Sequence, residues 1–182
     1  MIFTSLDLTG AYLIQLDKKI DERGFFARYY CEKEFAERQL EVRWVQMNTT
    51  LTSHKGTIRG LHFQREPMTE AKVVRCLNGA IWDVIVDLRS GSSTFGKWIA
   101  VELNAFNKSM IYVPKGFAHG FQTLADDTEL LYMHSEFYST ENEGGINYQD
   151  TTLSIRWPLP ISMVSERDKK HPLITDIKPI SL

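Results

Sequence analysis

Cysteine is scarce: only Cys31 and Cys76 occur in 182 residues, far apart and in no spacing that a metal site uses. A disulfide framework is therefore excluded, and free thiols in a reducing compartment are expected. A basic excess is also missing, with 21 Lys and Arg against 23 Asp and Glu and a net charge of −2. This argues against a nucleic-acid reader or any other binder of polyanions. No run reaches the roughly 18 apolar residues of a membrane span. Met1 to Asp7 carries neither a basic n-region nor a long apolar run, so a soluble cytoplasmic protein is expected. There is no glycine-rich dinucleotide motif, internal repeat or low-complexity segment. The prolines Pro158, Pro160, Pro172 and Pro179 forbid a long helix near the C-terminus.

Apolar residues make up 43% of the chain, enough for one packed core. We expect one domain over 1–182, with a tail from about 150 to 182 packing over a pocket. Short apolar stretches read as strands at Ala11–Leu16, Phe25–Tyr30, Arg43–Thr50, Arg59–Gln64, Ala71–Leu77, Ala80–Leu88, Lys97–Leu103, Met110–Val113 and Glu129–Ser135. Turns are expected at Asp21–Gly24, Asn78-Gly79, Ser90–Ser93 and Asn107-Lys108. Arg65–Glu70 and Pro114–Phe121 read as loops, and Glu32–Gln39 as one short helix. Many short strands with Gly and Asn turns predict an all-β jelly roll or small barrel. Its open edges invite a homodimer that shares strands.

The chemistry centres on Arg59-Gly60-Leu61-His62-Phe63-Gln64. Strand side chains alternate, so Leu61 and Phe63 face one way and His62 and Gln64 the other. Gly60 permits close approach to the backbone. His62 is a natural base near neutral pH. Lys72 sits between apolar neighbours on an interior face and suits a developing enolate. Tyr132, in Leu130-Leu131-Tyr132-Met133, is either a core tyrosine or a phenolic acid facing the pocket. Asp168, folded back from the tail, can fix the tautomer of His62. Arg23 and Arg59 offer forks for a diphosphate. Phe26 and Tyr138 either stack on a base or line the core. Gln46 and Asn48 share the polar side of their strand. Pro114-x-Gly116-x-x-His119 is similar to half of a cupin metal motif, but Gln64 stands where that motif needs a ligand, so no metal is expected.

These blocks resemble the dTDP-4-dehydrorhamnose 3,5-epimerases, cupin-like enzymes of deoxysugar biosynthesis. The resemblance runs from about Leu13 to Pro172. It includes Asp21-x-Arg23-Gly24-Phe25-Phe26, Val45-Gln46-x-Asn48, the His62 block, Ala71-Lys72-Val73-Val74-Arg75, Pro114-x-Gly116-Phe117-Ala118-His119-Gly120-Phe121 and Ser165-Glu166-x-Asp168. It implies a jelly-roll dimer without metal or organic cofactor that inverts C3, C5 or both on a nucleotide-linked 4-keto-6-deoxyhexose. His62 would be the base, supported by Asp168, Tyr132 the acid, and Lys72 the group at the ketone oxygen. Arg23, Arg59, Gln46, Asn48, His119 and Glu143 would surround the nucleotide sugar, with Phe26, Gln64 and Tyr138 as further contacts. Arg28 departs from the family's usual Glu; it either alters nucleotide preference, for instance toward a CDP-sugar, or is a solvated neighbour with no role. A single-carbon epimerase or ketoisomerase, and a non-catalytic sugar-binding cupin, remain alternatives.

Overall fold

The computed structural model describes all 182 residues. Its strands are β1 (Ile2–Ser5), β2 (Tyr12–Gln15), β3 (Lys19–Asp21), β4 (Gly24–Phe26), β5 (Gln46–Thr52), β6 (Thr57–Gln64), β7 (Lys72–Asn78), β8 (Ala80–Asp87), β9 (Trp98–Asn104), β10 (Met110–Val113), β11 (Phe117–Thr123), β12 (Thr128–His134), β13 (Glu143–Gly145) and β14 (Met163–Val164). The helices are α1 (Glu32–Ala36), α2 (Glu166–Lys169) and a 3₁₀ turn at Ile174–Asp176. No helix is long and apolar enough to cross a membrane.

Two six-stranded sheets face each other. The first runs β1-β2-β10-β7-β12-β5; the second runs β13-β6-β11-β8-β9, with β14 added in parallel beside β6. Every other pairing between these strands is antiparallel. This is the all-β, jelly-roll-like sandwich that the pattern of short strands predicts.

Three apolar layers hold it. Between the sheets, Val74, Cys76, Ile111 and Leu130 meet Ile81, Ile85, Leu103 and Phe121. Outside the second sheet, Leu61, Phe63, Val84, Val86 and Leu88 are covered by Ile146, Leu153, Ile174 and Ile180. Outside the first, Ile14, Val73 and Tyr112 are covered by Phe35 of α1. The tail thus packs on the outer face of β6 and then reaches round to its inner side.

The expected elements differ at their edges. Pro114–Phe121 is not a compact loop: the turn ends at Gly116, and Phe117 begins the central strand β11. Gly120 serves close packing there, not a turn, because a Cβ on it would lie 2.8 Å from the Arg59 carbonyl. The strand expected over Phe25–Tyr30 ends at Phe26, after which Tyr29 and Tyr30 turn to pack around Phe35. The helix stops at Ala36, short of Gln39, which takes positive φ. The strand expected at Arg43 begins at Gln46 and continues to Thr52, and β1 precedes any element expected from the pattern.

Candidate active site

Between the sheets lies a cavity of about 850 Å³, a size suited to a small organic ligand. Its walls come from β5, β6, β7, β11 and β12, and from the tail at Met163–Asp168. The alternation of β6 that sends Leu61 and Phe63 outward under the tail sends His62 inward. Gly60 permits this crossing. Its φ is +115°, and a Cβ there would stand 2.6 Å from the Cα of Gly120.

His62 and Asp168 are brought together across 106 positions of sequence. Ser165 caps the short helix α2 by accepting the Asp168 N–H at 3.0 Å. This aims the carboxylate at β6. Its Oδ1 lies 2.8 Å from His62 Nε2, and its Oδ2 accepts the Gly60 N–H at 3.0 Å. Burial alone would raise the Asp168 carboxyl, but the bonds from His62 and Gly60 outweigh it and hold the group well below the usual carboxylate range. With Nε2 engaged, Nδ1 is the ring nitrogen of His62 with no hydrogen bond.

Tyr132 enters from β12, on the opposite sheet. Its hydroxyl is 3.4 Å from Thr50 Oγ1. Burial pushes the phenol far above its ordinary value, so it keeps its proton. The ring of His119 meets that of Tyr132 edge-on at 6.2 Å. His119 Nε2 is bonded to Asp83 at 2.8 Å. Asp83 is fully buried, its Oδ1 has no partner, and burial raises its carboxyl.

Lys72 lines the same cavity from β7, with its ammonium 3.1 Å from Glu70 Oε1. The second oxygen of Glu70 lies 2.7 Å from His134 Nδ1. Burial alone would raise Glu70; the charge of Lys72 and the bond from His134 outweigh it and lower it. Asn48 and Arg59 also line the cavity. Gln46 does not; it donates to Asn48 Oδ1 and accepts the Tyr138 N–H.

Other expected contacts lie elsewhere in this chain. Gln64 does not line the cavity. It is buried, donates to the carbonyls of Met68 and Phe137, and accepts the Ser139 N–H, so it ties β6 to a loop. Arg23 pairs with Asp21 on an exposed hairpin. Arg28 pairs with Glu34 at 3.2 Å, and Phe26 is 72% exposed. Glu143 holds Arg167 at 3.1 Å beside the cavity, and Tyr138 is exposed.

Three groups at the site were not singled out from sequence. Glu70 falls in a stretch read as a loop. His134 shares the face of Tyr132 by the same alternation, which is a usable signal. His171 meets His62 edge-on at 5.6 Å and lies 3.5 Å from Asp168 Oδ1. Burial and the neighbouring His62 lower its proton affinity. His62, Asp168 and His171 have ligand atoms within 4.8 Å of one another, the spacing of a metal site. Arg167 stands 3.5 Å from His62 Nε2, and its positive charge opposes a cation there.

The sequence model of the dTDP-4-dehydrorhamnose 3,5-epimerase family matches residues 5–176. A dTDP-4-dehydrorhamnose 3,5-epimerase of Sinorhizobium fredii is 42% identical over 182 residues, all of this chain and 93% of that one. The crystal structure of the enzyme of that name from Elizabethkingia anophelis superposes with a TM-score of 0.94 at 42% identity, covering 97% of each chain. A dTDP-6-deoxy-D-glucose-3,5-epimerase of Legionella pneumophila, in complex with dTDP-4-keto-L-rhamnose, gives 0.90 at 36% identity, covering 97% of this chain and 94% of that one. The chain belongs to the dTDP-4-dehydrorhamnose 3,5-epimerase family, and it is an enzyme of the isomerase class.

Proposed function

We propose that this enzyme converts dTDP-4-dehydro-6-deoxy-D-glucose to dTDP-4-dehydro-L-rhamnose by inverting C3 and C5. The observation that carries the reading is that an imidazole from one sheet and a phenol from the other face one cavity. C3 and C5 both flank the C4 ketone, so a proton on either is acidified by the carbonyl. His62, through Nδ1, removes that proton, and the electron pair moves onto the ketone oxygen. The ammonium of Lys72 stabilises the enolate formed. Tyr132 then delivers its hydroxyl proton to the opposite face of the carbon, which is thereby inverted. Asp168 supports the protonated His62 and holds its ring. The two side chains regain their starting protonation through solvent. Only protons move, so the balance requires no redox carrier.

Arg59, Asn48 and His119 serve as contacts to the nucleotide sugar within this chain. Arg23, Phe26 and Arg28 serve the cavity of a second copy. Support comes from the β3–β4 hairpin, which stands off both sheets with Ile20 79% and Phe26 72% exposed. Such apolar surface on a thin hairpin favours docking on a partner. A homodimer that exchanges this hairpin accounts for it. The unpaired Cys31 and Cys76 agree with a cytoplasmic setting.

NMR in D2O with dTDP- and CDP-4-keto-6-deoxyglucose tests the reading. Deuterium should enter at C3 and C5 of the dTDP-sugar, with the rhamno product formed. Exchange at one carbon alone would make it a single-carbon epimerase, and absence of exchange with both substrates would overturn it. Preference for the CDP-sugar, abolished in Arg28→Glu, would assign nucleotide choice to Arg28.

A further inference from the structure

A cation placed to stabilise an enolate is weakened by a carboxylate beside it, because the pair's fields largely cancel. Lys72 has such a neighbour. Its ammonium is 3.1 Å from Glu70 Oε1, and both side chains are about nine-tenths buried, at 11% and 8% exposure. Left alone, Glu70 would spend its charge on the one cation that the reaction needs.

Glu70 is not left alone. Its other oxygen, Oε2, lies 2.7 Å from Nδ1 of His134, within the range of hydrogen bonds to an ionised group. His134 is itself fixed on several sides. It follows Tyr132 by two on β12, so both rings face the cavity and stack at 6.0 Å. In the β7–β12 ladder its register partner is Lys72. A buried carboxylate is thus divided between two donors on adjacent strands, both of which line the cavity.

We propose that His134, acting through Glu70, is a positioning residue for Lys72: it takes up half of the carboxylate, so that the ammonium stays fixed yet keeps its field for the enolate. Glu70 is the hinge of this arrangement, and it lies outside the cavity wall, so His134 reaches the ammonium only through it. The inference rests on the proposed role of Lys72 at the ketone oxygen.

The test measures solvent-deuterium exchange and epimerisation of the dTDP-4-keto sugar by the purified full-length protein. His134→Phe keeps the ring stacked on Tyr132 but removes the donor. We expect its kcat to fall about tenfold with KM nearly unchanged. His134→Gln, which restores a neutral donor, should recover most of the loss. So should Glu70→Gln added to His134→Phe, because the unshared charge is then gone. A purely structural role for His134 would not be rescued by a second change at Glu70. Urea midpoints and dTDP affinity confirm that each variant is folded, and His134→Leu replaces a Phe variant that does not fold.

A His134→Phe enzyme with wild-type kcat, or one that Glu70→Gln fails to rescue, overturns the inference. Lys72→Met separates the two levels. If it retains wild-type exchange, the role of Lys72 falls and takes this inference with it. If it is inactive while His134→Phe is normal, only the inference falls.

Discussion

Tyr132 and His62 stand on different sheets and face one cavity, and His119 is a neighbour of both. His119 pairs with His62 in the β6–β11 ladder and meets the ring of Tyr132 edge-on at 6.2 Å. The separation of the proposed base and acid is therefore built into the sandwich and not into a loop. Inversion needs two groups on opposite faces of a carbon, and the two sheets provide two faces.

The Asp168 carboxyl is held below its free value, about 3.9, so its contribution to stability has a definite sign. That contribution is complete above about pH 4 and is lost as the pH falls through the depressed folded value. The wild type should lose urea resistance steeply below pH 4, while Asp168→Asn, weaker at pH 7, should show a shallower decline. Parallel curves for the two proteins would contradict this. The same variant should lower turnover by about 10²-fold or more.

Gly60→Ala should be severely destabilising, by roughly 2–5 kcal/mol in urea unfolding. The added Cβ would meet the backbone of Gly120 at 2.6 Å, where no rotamer can relieve the overlap, and the φ of +115° is unfavourable for alanine. A cost below about 0.5 kcal/mol would show that the β6–β11 contact is looser than described.

The exposed hairpin makes a prediction about assembly. Wild-type protein should sediment as a dimer. Phe26→Asp should weaken that dimer, and kcat/KM for the dTDP-sugar should fall with it. A wild-type monomer with full activity would remove the role proposed for the hairpin.

Much of this was legible in the sequence, and the reasons differ by element. The period of two in Arg59–Gln64 exposes the inward His62 and outward Phe63. It does not say that the outward face is covered by the tail, because Ile146, Leu153 and Ile174 are more than 80 positions away. Gly116 and Gly120 make Pro114–Phe121 look like a loop, since a glycine needed for close packing reads the same as one needed for a turn. Gln64 is polar on an inward-facing position and so looks like a ligand contact. Its partners are carbonyls of Met68 and Phe137, and the second is set by tertiary folding alone. His171 and Glu70 carry no local signal, because their importance comes from Asp168 and Lys72, the groups that they meet.

The central claim is that base and acid act from opposite sides, and the Tyr132→Phe enzyme in D2O tests it most directly. His62 remains, so deuterium should still wash into the substrate at C3, C5 or both, while the yield of inverted sugar drops by about 10²-fold or more; His62→Ala run beside it should show no exchange. Inverted product from Tyr132→Phe at the wild-type rate would contradict the account.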